Sequence, residues 1–174
     1  TPPLPASSAA SDVYKRQLEG SDSARMILAG NLDPIAGRDR KLALDLYDKL
    51  SLNSDIGLLL ILSSSLYSLC YDDLMAFQVR ARRLIETGED KVIRKLIEAG
   101  YRGYLDRDPR DEFSLMVMAW KFGGSLSRSR LKGLIFQQKQ LSEQNFQRTL
   151  SGIRKFSETE ALGLLEYIAG REAP

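Results

Sequence analysis

A chain of 174 residues with 25 basic and 23 acidic residues, 43% hydrophobic side chains and one cysteine has material for one domain with a proper core. It contains no histidine, which excludes Ser-His-Asp and Cys-His catalysis, His-containing zinc sites and His-based pH switching within these residues. The single cysteine, Cys70, excludes an intrachain disulfide and a multi-cysteine metal cluster, and a net charge of +2 exerts no global pull on nucleic acid or acidic membranes.

Ser7 to Gln17 reads Ser-Ser-Ala-Ala-Ser-Asp-Val-Tyr-Lys-Arg-Gln. Back-translated with ordinary codons, it resembles the read-1 adapter of transposase-based sequencing libraries across all eleven codons. The resemblance implies that residues 1–17 are non-native and disordered, and that native sequence starts near Leu18. Residues 18–174 are then expected to form a single helical domain, the C-terminal part of a longer protein. Without the first 17 residues the balance is 23 basic to 22 acidic.

From there the pattern is helical, with turn residues where helices should stop. Ser21 or Ser23 caps a short helix, Ala24 to Leu32, ending around Gly30 and Asn31. Asp33-Pro34 and Gly37 predict a turn, after which Asp39 caps Arg40 to Leu50 with its stripe of Leu42, Leu46 and Leu50. Ser54 and Asp55 open the most apolar helix, Ile56 to Tyr71, before Asp72-Asp73 interrupts it. Sixteen residues with four serines and a glycine fall short of the roughly 20 that cross a bilayer. A helix apolar all round is then a central core helix, its serine hydroxyls bonding to the i−4 carbonyl and Cys70 buried as an inert thiol.

Leu74 to Thr87 predicts an amphipathic helix with Met75, Phe77, Val79, Leu84 and Ile85 on one face and Arg80, Arg82 and Arg83 on the other. Gly88 stops it. Glu89 and Asp90 begin a short helix with Val92, Ile93, Leu96 and Ile97 inward and Lys91, Arg94 and Lys95 outward, closed by Gly100. Tyr101 to Pro109 is the longest connection. Arg110 to Phe122 follows, carrying Met116 and the only tryptophan, Trp120, and stops at Gly123-Gly124. A helix over Arg128 to Gln140 precedes two similar ones. In the first of those, Ser142 follows Leu141, which can staple onto Phe146; in the second, Ser157 and Glu160 form a capping box. These two predict a C-terminal helical hairpin. The expected fold is all-α, a bundle of about eight or nine short-to-medium helices with no significant β-sheet.

Four groups of residues invite functional readings. Gly123 to Arg130 is a glycine-rich turn entering a helix, so its backbone N–H groups with Arg128 and Arg130 could hold an anion; a C-cap followed by an N-cap with solvated arginines is the more economical reading. It lacks a P-loop ending and follows no strand. Arg80, Arg82, Arg83, Lys91, Arg94 and Lys95 lie on consecutive helices and could converge on nucleic-acid phosphates, although Glu86, Glu89, Asp90 and Glu98 are interleaved. Of these, Arg80, Arg83, Arg94, Lys95, Arg128 and Arg130 are the candidate anion or nucleic-acid contacts. Asp106, Asp108, Asp111 and Glu112 could bind a cation or serve acid–base chemistry, but Arg102, Arg107 and Arg110 among them make local ion pairing more economical. Met116 and Trp120, with Met118 and Phe122, could line a partner surface or simply be core.

Ala29-Gly-Asn and Ala43-Leu-Asp-Leu-Tyr-Asp-Lys-Leu50, followed by the leucine-rich helix, look like the helical collar domain of the bacterial clamp-loader delta subunit. Arg154 to Glu160 is similar in style to that domain's late helices, but the segment between is longer and the expected late lysine is missing. The serine-capped end leading into Leu164-Leu-Glu-Tyr-Ile168 resembles helical tails of small-subunit ribosome-assembly factors. Both likenesses rest on capping and leucine spacing that many bundles share, so neither identifies the chain. The expectation is a non-catalytic interaction or scaffold module within a larger assembly, with no catalytic, cofactor or metal residues in these helices. Its expected partner is another protein, in an intracellular setting. The alternative is a nucleic-acid-associated helical subunit, and membrane association is the least favoured reading. An enzyme whose catalytic domain lies upstream is a further alternative.

Overall fold

The structure is a computed structural model that describes residues 12–14, 16, 19–101, 109–156 and 158–169. Among these it is all-α, with ten α-helices, one π-helical turn and no strand. The helices are α1 (Asp22–Gly30), α2 (Leu32–Ala36), α3 (Arg40–Leu50), α4 (Ile56–Leu69), α5 (Leu74–Glu86) and α6 (Asp90–Leu96). The π turn, Ile97–Tyr101, follows, and then α7 (Pro109–Phe122), α8 (Ser125–Leu141), α9 (Glu143–Ile153) and α10 (Glu158–Ala169).

The helix starts are set by short polar side chains. Asp39 accepts from the Leu42 amide at 2.9 Å, Asp55 from Leu58 at 2.7 Å and Asp73 from Ala76 at 2.8 Å. Each carboxylate satisfies an amide that has no partner inside its own helix. Ser21 does the same for Ala24. At the other end of α5, Gly88 takes a positive φ of 71°, the left-handed conformation that ends a helix at little cost only for glycine.

The element count exceeds the expectation for two local reasons. The predicted Asp33-Pro34 turn is the helix α2: Pro34 is its third residue, where the missing N–H would have had no intrahelical acceptor. Beyond α6 the chain widens into the π turn, where Gly100 lies against Tyr67 of α4. A Cβ on Gly100 would stand well inside van der Waals distance of the Tyr67 ring. Gly133, by contrast, sits in α8 with open space where its Cβ would be. Gly100→Ala is therefore expected to cost about 1–3 kcal/mol by overpacking. Gly133→Ala is expected to gain about 0.5–1 kcal/mol by removing a mid-helix glycine. Equilibrium urea unfolding of both variants reads the opposite signs.

α4 is the centre. Leu58, Leu59, Leu62, Leu66 and Leu69 are buried, and α1, α2, α3, α5, α6 and the π turn all pack on it. Its hydroxyls bond back as expected: Ser63 donates to the Leu59 carbonyl at 2.7 Å, Ser64 to Leu60 at 3.1 Å and Ser65 to Ile61 at 3.2 Å. No helix among the described residues is long and apolar enough to cross a membrane. Extensive contacts then pass outward: α5 packs on α7, α6 and the π turn on α8, and α9 and α10 on α7. α9 and α10 touch each other as the expected hairpin, yet each contacts α7 more extensively.

One face was misassigned by the sequence pattern. Phe77, Ala81, Leu84 and Ile85 of α5 are buried, whereas Met75 and Val79 are exposed. Two residues turn a helix by about 200°, so Met75 and Val79 cannot share the side of Phe77. Within the adapter-like segment, Asp12 to Tyr14 and Arg16 are helical and Tyr14 packs against the core. The expected disorder of residues 1–11, 15 and 17 lies outside the described residues. So do the 102–108 connection, the Ser157 capping box and the Leu141 staple.

Candidate functional site

The arginines proposed as a phosphate-binding face are held by the protein's own acids. Arg80, on the inner flank of α5 with only 12% of its side chain exposed, pairs through Nη2 with Asp48 Oδ2 of α3 at 2.6 Å. Arg83, one turn on, reaches Asp48 Oδ1 at 3.1 Å. One carboxylate thus receives two guanidiniums, a charge-assisted arrangement that ties α5 to α3. Arg80 also donates to the Ala76 carbonyl and lies 6.0 Å from the Tyr47 ring centroid. Arg82 turns the other way and donates to Ser114 Oγ of α7. Arg94 is paired with Glu98 at 2.8 Å, while Lys95 is exposed. The structure therefore brings Arg80 and Arg83 together on Asp48 and places Arg94 on a different acid.

The Gly123–Arg130 turn does hold an anion, and the anion is Asp90. Its Oδ1 accepts from the amides of Gly124 and Ser127, each at 2.9 Å, and its Oδ2 from the amide of Leu126 at 3.0 Å. The Ser127 hydroxyl donates to Oδ1 as well. The first residue of α6 thereby caps α8 across more than thirty residues. Gly124 is needed because a Cβ there would meet the Asp90 carboxylate, and Gly123 because its Cβ would meet Ser127. Desolvation by itself would raise the Asp90 carboxyl, but the Ser127 hydroxyl and the three amides outweigh it and hold the group below its ordinary 3.8.

Met116 is fully buried in α7, which corrects its candidacy as a partner surface. The reason is helical phase: Leu115, Met116 and Ala119 form the inward side. Trp120 is half-buried, with Gly163 of α10 close beneath its indole. Arg128 Cζ and Lys132 Nζ lie 5.5 and 5.6 Å from its ring centroid, and Arg128 Nε donates to the Trp120 carbonyl at 2.9 Å. Arg128 is thus engaged at the α7–α8 corner, while Arg130 is exposed.

Cys70 is buried beside Tyr47, and desolvation pushes its thiol up to about 11, so it stays protonated and unreactive at neutral pH. A cleft between α3 and the start of α5 is lined by Arg40, Lys41, Asp45, Asp72, Asp73 and Arg80, three bases against three acids. Among the described residues no group of three or more acids and cysteines is placed to hold a metal ion. Asp106 and Asp108 lie outside the described residues, as do the side chains of Asp111 and Glu112.

Local reading of the helices missed the distribution of charge along the chain. Residues 18–73 carry nine acidic and five basic residues, whereas residues 113–157 carry eight basic residues and one acid, Glu143. That signal was available from a running charge count. No family model, no curated protein and no solved structure matches the chain.

Proposed function

We propose that this chain is a non-catalytic interaction or scaffold module within a larger assembly, and that its contact face is the outer side of α5. The observation that carries this reading is Met75, 76% exposed, with Val79, 48% exposed, one turn away on the same helix. Residues four apart stand side by side, and each contributes roughly 1.5–3 kcal/mol when fully buried. The helix beneath them is fixed from both sides, by Asp48 on Arg80 and Arg83 and by Ser114 on Arg82. A rigid helix presenting apolar side chains binds with little ordering cost.

A photo-crosslinking side chain placed at position 75, at position 79, or at exposed Lys49 as control tests this in extract of the source cells. The expected result is one discrete adduct shared by positions 75 and 79, missing at 49 and abolished at position 79 by Met75→Glu. Equal labelling at all three positions would overturn the reading. The second reading, a nucleic-acid-associated subunit, draws no support from Arg80, Arg83 or Arg94, whose charges are internally paired. What favours it lies in the basic segment 113–157, including α8, whose first turn has no acid and whose Arg130 is exposed.

A further inference from the structure

We propose that the outer surface of α8 and α9 binds a polyanion, and that this polyanion is the phosphate backbone of a single-stranded nucleic acid. The inference is independent of the α5 face. α7, α8 and α9 pack on one another and contain most of the segment in which basic residues outnumber acids eight to one. The contrast with α5 and α6 is in the partners. There Arg80, Arg83 and Arg94 end on Asp48 or Glu98. Arg130, Arg148, Arg154 and Lys155 are exposed and have no acidic partner among the described residues. The one acid of the segment, Glu143, accepts from Gln147 on its own helix. Exposed cations on α8 and α9 and in the turn that follows α9 attract phosphates and release their counterions.

Two further features favour a nucleic acid strand over an acidic peptide or a lipid surface. The exposed side of α8 includes Ser125, Ser129 and Gly133 at four-residue spacing, with open space beyond Gly133, so a phosphate backbone can approach the helix closely. At the α7–α8 corner Phe122 is 40% exposed with Lys121 Nζ 5.6 Å from its ring centroid, a face on which an unpaired base can stack. A membrane-binding helix would need a continuous apolar face, and among the described residues Leu126 is the one large exposed apolar side chain of α8. The acidic residues 18–73 repel the same ligand and orient it toward α8 and α9.

Fluorescence anisotropy of a labelled 20-nucleotide single strand of mixed sequence, titrated with the full chain between 50 and 200 mM salt, tests the assignment. Binding is expected to weaken with salt with a log–log slope of about −3, as for four to five phosphate contacts on a single strand. Arg130→Glu/Arg148→Glu/Arg154→Glu is expected to lower affinity at least tenfold and flatten that slope. Arg38→Glu/Lys41→Glu/Lys49→Glu, an equal change of charge on the α2–α3 side, should change it less than threefold. Circular dichroism of both variants verifies the fold. The proposal is overturned if no binding is seen at 50 mM salt, or if the two variants lose affinity equally. It is also overturned if polyglutamate or phosphatidylserine vesicles bind more tightly than the oligonucleotide.

Discussion

Leu62→Ala is expected to lower the free energy of unfolding by about 3–5 kcal/mol, the largest effect of any substitution considered for this protein. Leu62 is wholly buried near the middle of α4, and α4 is the element on which six others pack. Removing three carbons there forfeits transfer energy and leaves a hole that packed helices on several sides cannot collapse into. Ser64→Ala on the same helix provides the contrast. Its hydroxyl is exposed and bonds only to the Leu60 carbonyl of its own helix, so its loss should fall within about 0.5 kcal/mol. Equilibrium urea unfolding followed at 222 nm measures both. A loss below about 1 kcal/mol for Leu62→Ala would refute the central position of α4.

Asp90→Ala comes next, at about 2 kcal/mol near neutral pH. The substitution removes the cap of α8 and leaves three amides and the Ser127 hydroxyl without their shared acceptor. The effect depends on pH in a definite direction. Because the folded carboxyl titrates below its ordinary value, its stabilisation is complete well above pH 4 and is lost as the pH falls through the lowered folded value. The stability gap between the wild-type chain and Asp90→Ala should therefore be constant from pH 7 to 5 and shrink below about 4. Guanidinium unfolding of both proteins at pH 7, 5 and 3 checks it. A gap that widens in acid would show that Asp90 is not held as a carboxylate.

What could be read from the residues follows a physical boundary. Interactions that close within a turn were legible: the caps by Asp39 and Asp55, the stop at Gly88, and the serines of α4 bonding one turn back. The buried side of α6 was legible because Val92, Ile93, Leu96 and Ile97 fall on one side of a helix. The start of α8 was placed at Arg128, three residues late. Its cap is Asp90 on another helix, and no local pattern announces a partner that distant. The internal pairing of Arg80 and Arg83 was hidden for the same reason. Whether Arg80 is available depends on Asp48, 32 residues away, not on its neighbours. Met75 and Val79 were a different error, since apolar character was allowed to override helical phase.

The order in which the helices touch has a consequence for how the molecule comes into being. α1 to α3 settle on α4, α4 supports α5 and α6, and these support α7 and α8, on which the remainder rests. Nearly every extensive partner of a helix is thus already synthesised, or about to be, when that helix leaves the ribosome. Short loops cost little entropy to close, so a chain wired this way can assemble progressively from its first helices. The Asp90–Gly124 junction is then a late latch, because its carboxylate must wait for the amides of α8 to emerge. Until that moment α6 leaves its face for α8 open, and the nascent chain is most vulnerable to aggregation and proteolysis there.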